Sequence, residues 1–372
     1  MTKKKTKKKS QQDVLAIELT DRCIQAVTGQ SHKNNLTIYD AFRVPVPLGC
    51  ITDGEISDLE RLSSIITAEV MKRSNFRNIA FVTDAATVVK RRFLVPSTNS
   101  DADLANIVAF KLGEYLGIDM DNYVVNFEKT GMTGQGANAN EQDIEVYACA
   151  LPKKTTDLFF HLTENLGVEP HLLNVSTNVL QKLIAEGVTI NNNLNLSGFE
   201  RVAFLEICDR SIRINIYESG QFFYCGTIPM GMADIIDEIS ISLRVEFKEA
   251  SSILFNLLRG VDNIFTTNFS AGGFTPVQLQ VVEIINNQIF HWLDEVKRVF
   301  LLYSGSARNK DIQQVFMHGV GCDFKGLDGV FSGELGRSVV TIRSLSNINN
   351  PSNNAELQSF LYRYVNLIGL IS

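Results

Sequence analysis

Residues 16–25 read AIELTDRCIQ and residues 204–213 read FLEICDRSIR. Glu18 falls on Glu206, Asp21 on Asp209, Arg22 on Arg210 and Ile24 on Ile212, every pair 188 residues apart. In each copy an apolar run enters an Asp-Arg pair and leaves it into a second apolar alternation, the pattern of strand, tight turn and strand. Repetition at this offset predicts a two-lobed α/β molecule whose halves each open with a hairpin, the two hairpins facing one cleft.

Working outward from the first hairpin, residues 36–46 read as a further strand that closes at Pro45 and Pro47. Ser57-Asp58-Leu59-Glu60 has the form of a capping box, with Ser57 accepting from the Glu60 amide and Ile56, Leu59, Ile66 and Val70 on one face of the helix behind it. Residues 79–83 and 87–95 read as strands. Beyond Pro96, the small polar residues 97–101 lead into a helix through Leu104, Ile107, Val108 and Leu112 that closes at Gly117, the entry to an inserted subdomain. Strands at 122–128 and 144–150 flank the Gly- and Asn-rich stretch 131–140, read as a hairpin loop, and a helix over 156–165 ends at Gly167. The Asn-rich residues 191–197 suit a crossing between lobes. Val282, Ile285, Ile289, Trp292, Val296, Val299 and Tyr303 form one stripe on a long, core-facing helix. The expected division is a basic tail (1–12), lobe 1 (13–96), the inserted subdomain (97–170), a return to lobe 1 (171–198), lobe 2 (199–330) and a final return to lobe 1 (331–372).

Composition removes several function classes. The chain has 35 Lys plus Arg against 41 Asp plus Glu, a net charge of −6, yet Lys3, Lys4, Lys5, Lys7, Lys8 and Lys9 supply six of the cations, so the remainder stands at −12. A body of that charge is a poor partner for a phosphate backbone, and no nucleic acid is expected. No run approaches the roughly 18 to 20 apolar residues of a membrane span, and the lysine run is not followed by a signal-type apolar segment. Six scattered cysteines without CxxC spacing fit reduced thiols in the cytosol. The five histidines show no zinc spacing. Neither GxSxG nor a P-loop is present, so no catalytic residue is assigned.

The two hairpins resemble the phosphate loops of the actin-like (ASKHA) ATPase superfamily. The whole chain resembles its FtsA-related PilM branch, the type IV pilus assembly proteins. The likeness runs through Val46-Pro47-Leu48-Gly49 with Asp53-Gly54-Glu55-Ile56, Arg92-Phe93-Leu94-Val95-Pro96, Glu114-Tyr115-Leu116-Gly117 and Leu166-Gly167-Val168-Glu169-Pro170. It continues in Met317-His318-Gly319-Val320-Gly321-Cys322, like the family's adenosine loop, and in Val365-Asn366-Leu367-Ile368-Gly369-Leu370, like its closing element. The resemblance implies a two-lobed actin-like fold with an inserted 1C-type, SHS2-like subdomain. By the same resemblance Glu18 and Glu206 would hold Mg²⁺, and Thr20, Asp21, Arg22, Cys208, Asp209, Arg210, Gly319 and Gly321 would surround ATP.

Both hairpins depart from the superfamily's Asp-x-Gly-Ser/Thr loop. Glu18 and Glu206 lengthen the carboxylate, and Thr20 and Cys208 replace glycines that let backbone amides approach phosphate. Asp21 and Asp209 add negative charge where a triphosphate would lie; two like charges about 4 Å apart oppose each other by about 4 kcal/mol at an effective dielectric near 20. Arg22 and Arg210 could reverse that sign, but Gln25 stands where the family has a lysine. Two readings stay open: a modified nucleotide site, and a degenerate cleft whose hairpins serve the fold.

By resemblance, the chain is a cytoplasmic scaffold, peripheral to the inner membrane, that forms a homo-oligomer or ring. It captures the N-terminal segment of a PilN-like membrane protein in a groove between the core and the inserted subdomain, and links it to the motor ATPases. The partner-contacting residues are not assigned. The six lysines at 3–9 would attract an anionic leaflet at about 1 kcal/mol each. The alternative is an actin-like ATPase whose nucleotide state gates pilus or cell-division assembly.

Overall fold

The computed structural model describes residues 13–372 apart from 33–34, 74–75, 77, 99, 118, 136–141, 268, 270–272 and 307–310. Lys3, Lys4, Lys5, Lys7, Lys8 and Lys9 therefore lie outside the described residues, as does the middle of the glycine-rich stretch. Lobe 1 begins with Val14–Leu19 (β1), Cys23–His32 (β2) and Asn35–Pro45 (β3), an antiparallel meander. The helix Leu59–Ile65 (α1) follows and leads to Asn78–Val82 (β4), parallel to β1. β1 and β4 are central strands, which is why VLAIEL and NIAFV read as nearly unbroken apolar runs. The cap of α1 differs from the expected box: Asp58, not Ser57, accepts from the Arg61 amide at 3.0 Å. The Ser57 hydroxyl donates instead to Thr52, because both the Ser57 and Asp58 amides are held by the Cys50 carbonyl.

The inserted subdomain is an antiparallel sheet of Val89–Pro96 (β5), Tyr123–Gln135 (β6) and Gln142–Pro152 (β7), ordered β5-β7-β6. The helix Asp101–Leu116 (α2) covers one face, burying Leu104, Val108 and Leu112 on Phe93, Val95, Val146 and Ala148. The β6–β7 ladder continues into the glycine-rich stretch as far as Gln135 and Gln142, beyond the strands expected from composition. The subdomain boundaries move as well. β5 belongs to the insert, whereas Lys153–Leu166 (α3) packs Phe159 and Leu162 into the lobe 1 core, and Glu169–Asn174 (β8) joins the lobe 1 sheet beside β4. The insert thus spans 89–152 rather than 97–170.

After Ser176–Ala185 (α4), lobe 2 repeats the pattern with Arg201–Ile207 (β9), Ile212–Glu218 (β10) and Gln221–Ile228 (β11). Met232–Leu243 (α5), Phe247–Gly260 (α6) and Pro276–Ser306 (α7) follow, then Gln314–His318 (β12), Leu327–Leu335 (α8) and Val339–Thr341 (β13). The sheet order is β11-β10-β9-β12-β13, so lobe 2 extends past the expected limit at 330 to Thr341. On α7 the predicted stripe is the core face: Ile285, Trp292 and Val296 are fully buried.

The chain returns to lobe 1 through Ile348–Asn349 (β14), giving a sheet ordered β8-β4-β1-β2-β3-β14. Ala355–Phe360 (α9) and Val365–Ile371 (α10) complete it. One shared core lies between the two sheets, where Ala16 and Val27 of lobe 1 and Phe204 and Phe316 of lobe 2 meet α4 and α10. The helices cross so closely that a Cβ on Gly369 would lie 2.6 Å from the Val179 carbonyl oxygen, which only glycine tolerates. That crossing sets Asn366 of α10 between the two hairpins.

Candidate functional sites: the interlobe cleft and the groove at the insert

The repeated sequence folds as a repeated turn. The Thr20 amide donates to the Cys23 carbonyl at 3.0 Å and the Cys208 amide to the Ser211 carbonyl at 2.8 Å, each residue 188 positions from its counterpart. In the ladders Glu18 stands opposite Gln25, and Glu206 opposite Arg213. Both carboxylates are buried and converge on Asn366, whose Nδ2 donates to Glu18 Oε1 at 3.0 Å and to Glu206 Oε1 at 2.9 Å. Arg213 bridges the pair to Asp84: its Nε lies 3.0 Å from Glu206 Oε2, its Nη2 3.7 Å from Glu18 Oε1 and its Nη1 3.3 Å from Asp84 Oδ2. Asp84 also binds Lys90 and accepts from the Ser176 amide at 3.3 Å. Burial, then the charge of Glu206, pushes the Glu18 carboxyl up. Burial would also raise Asp84, but Lys90 and Arg213 outweigh it and hold that carboxyl below its ordinary value.

The hairpin tips are tied across the cleft. The Thr20 hydroxyl shares its proton between the Cys23 carbonyl at 2.9 Å and Asp209 Oδ2 at 3.2 Å. Arg22 of lobe 1 lies over the Phe247 ring of lobe 2, 3.6 Å from its centroid, while Arg210 of lobe 2 approaches Asp21 at 4.0 Å and Asp237 at 3.8 Å. Asp21 also accepts from the Gly54 amide at 3.1 Å. Cys208 Sγ sits 3.0 Å from Arg213 Nη2, with its thiol pushed well up by burial. The joined tips border two cavities. One, of about 440 Å³, is lined by Asp21, Asp84, Lys90, Arg210 and Arg213; the other, of about 350 Å³, by Arg22, Arg43, Phe247, Phe255 and Val320. Gly319 and Gly321 lie against β9, where an added Cβ would meet the Ile207 carbonyl oxygen at 2.5 Å and Ile207 Cγ2 at 2.2 Å respectively.

A third cavity, of about 490 Å³, lies on the seam between lobe 1 and the insert. Its apolar walls are Val124 of β6, Leu151 of β7, Phe159 and Phe160 of α3, and Leu172 and Leu173 of β8; Asn126, His171 and Asn174 supply polar groups. Val124, Phe160 and Leu172 are 46%, 49% and 38% exposed, large apolar side chains left in water along one groove. Among the described residues β6 pairs only with β7, and β8 only with β4, so each presents an open sheet edge.

The sequence profile of a family described as type IV pilus assembly protein PilM matches residues 16–262. The chain belongs to the PilM family. No curated protein sequence matches it. Among solved structures it is similar to a PilM-PilN type IV pilus biogenesis complex, with TM-score 0.75 and 14% identity over 96% of this chain and 97% of that one. It also resembles the ethanolamine utilization protein EutJ of Carboxydothermus hydrogenoformans (TM-score 0.53, 13% identity, 96% and 88% covered). A third relative is MreB5 of Spiroplasma citri bound to AMPPNP (TM-score 0.51, 10% identity, 96% and 94% covered). These likenesses establish the actin-like fold.

In this PilM-family chain, eight of the ten residues expected around a nucleotide gather at the cleft: Glu18, Thr20, Asp21, Arg22, Glu206, Cys208, Asp209 and Arg210. Gly319 and Gly321 are placed behind them by packing on Ile207. Sequence reasoning missed Asp84, Lys90, Arg213 and Asn366. A signal existed for Arg213: it occupies the register position of Gln25, the one place in the repeat where a neutral residue becomes a cation.

Proposed function

We propose that this PilM-family chain is an adaptor of type IV pilus assembly that captures an extended, apolar cytoplasmic segment of a PilN-like membrane protein in the groove between β6 and β8. The carrying observation is that groove: apolar side chains exposed along two open sheet edges, a surface that an added strand would satisfy through both its backbone and alternate side chains. The similarity to a PilM-PilN complex supports the identity of the partner. On this reading the chain works in the cytoplasm, held at the inner membrane by its partner and by the attraction of the six N-terminal lysines for anionic lipid, and copies of it in a ring would pass contact on to the motor ATPases.

The interlobe cleft is degenerate in this reading. Mg²⁺ and ATP do not fit the residues present: Arg213 and Asn366 already engage the carboxylates that would hold the metal, and Arg22 covers Phe247. The Thr20–Asp209 contact crosses the cleft between the tips, where the resemblance would put the phosphates. No enzymatic step is assigned to the chain. What favours the nucleotide-gated alternative is the cavity beside Val320, where Arg22 and Arg43 supply cationic groups.

The groove is tested by titrating the cytoplasmic N-terminal segment of the PilN from the same genome into the full chain. Leu172→Asp and Val124→Asp put a charge on exposed groove positions, so they should weaken binding more than about tenfold with little loss of stability. Unchanged affinity in both variants would move the partner elsewhere.

A further inference from the structure

Asp84 is the point at which four parts of the molecule meet. It follows β4 of lobe 1, binds Lys90 of β5 in the insert, lies 3.3 Å from Arg213 of β10 in lobe 2, and accepts from the amide of Ser176, the first residue of α4. Its side chain is 2% exposed, so these partners are what balance its charge. Each contact leads on to a wall of one of the two sites.

On the groove side, Ser176 directly follows Asn174 and Val175, which line the groove, and the Asn174 carbonyl accepts from the Thr83 amide at 2.9 Å. Lys90 stands opposite Cys149 in the β5–β7 ladder, and Cys149 and Leu151 form the facing wall. On the cleft side, Arg213 carries the link to Glu206 and Glu18, and so to Asn366. The insert is also fastened to lobe 2 directly. Arg92 donates to the Phe222 carbonyl at 3.3 Å, and the Tyr147 and Phe222 rings pack at 4.4 Å. A change in how the lobes meet must therefore move the insert, and with it one wall of the groove.

We infer that Asp84 is a positioning residue that ties the shape of the partner groove to the closure of the two lobes, so that the groove takes its segment tightly only while the lobes are held together. This rests on the groove reading above and adds its regulation: whatever opens the cleft weakens the groove, and a bound segment in turn favours the closed lobes.

Two variants and one control test it in the full chain. Asp84→Asn breaks the junction itself. Asn366→Ala loosens the lobes at a buried position that lines neither groove wall. Leu254→Ala lowers stability through the lobe 2 core alone. Hydrogen exchange is measured first, without any peptide. Asp84→Asn and Asn366→Ala should speed exchange of the amides in β8 and of Val175, while Leu254→Ala at an equal loss of melting temperature should not. Titration of the PilN N-terminal segment should then show affinity reduced about fivefold or more in the first two variants and unchanged in the control. If exchange along β8 is unaltered in Asn366→Ala, the coupling is overturned whether or not the peptide binds. Altered exchange with no peptide binding by the unmodified chain would instead remove the groove reading and leave the mechanical link standing.

Discussion

The hydroxyl of Thr20 and the carboxylate of Asp209 meet at 3.2 Å, fastening the tip of the first hairpin to the tip of the second across the cleft. In the proposed reading the two tips face the space that phosphates would occupy. Thr20, which stands at a loop-glycine position of the resembled pattern, thus joins the neighbouring Asp209 of the other hairpin between cavities of about 440 and 350 Å³. The repeat that marks the fold in the sequence also supplies the groups that tie the two tips together.

A double-mutant cycle of Thr20→Val and Asp209→Ala measures that contact. The shared proton limits its strength, so the coupling in unfolding free energy should be about 0.5–1 kcal/mol. Additive effects of the two changes would mean the tips are not joined in solution.

Glu18 gives a pH prediction with a definite sign. Its carboxyl is raised from an ordinary 4.5 to about 8, first by burial and then by the charge of Glu206. The folded chain therefore binds the Glu18 proton more tightly than the unfolded chain. Its contribution to stability is complete below the unfolded value and is lost as pH rises through the folded one. Between about pH 5 and about pH 8, Glu18→Gln should lose less stability than the unmodified chain, a difference on the order of 1–3 kcal/mol in chemical denaturation. Parallel curves across that range would contradict the buried pairing.

Gly319 and Gly321 serve packing against β9. Gly319 has φ +90° and would press a Cβ into the Ile207 backbone, so Gly319→Ala should cost roughly 3 kcal/mol of stability; Gly321→Ala, facing the Ile207 side chain, should cost roughly 1–3 kcal/mol. Thermal melts with no nucleotide present check this. Near-neutral values would return these glycines to a ligand-binding role.

The hairpins were legible because strand, turn and charge sit within ten contiguous residues and occur twice. The stripe on α7 was legible for a related reason, since a single helix keeps its own periodicity. Asp84, Lys90 and Asn366 were not, because each is one polar residue given meaning only by the crossing of α4 and α10, which sets Asn366, and by the turn between β4 and β5, which brings Lys90 onto Asp84. The edges of the insert were misplaced because β5 and α3 each read correctly as elements, yet pack on the side opposite to the one their position in the chain suggested. Groove residues such as Val124 and Leu172 look like ordinary strand residues in sequence; only the sheet order leaves them at open edges.

Binding of a partner segment through the groove, without nucleotide, is the function proposed for this PilM-family chain. The most direct measurement is calorimetric titration of the PilN N-terminal segment into the full chain, with and without Mg²⁺-ATP, alongside titration of Mg²⁺-ATP alone. Saturable peptide binding of the same affinity in both conditions is expected, with no heat from ATP. Tight ATP binding that Glu18→Gln or Glu206→Gln abolishes, with peptide binding appearing only when ATP is present, would contradict it.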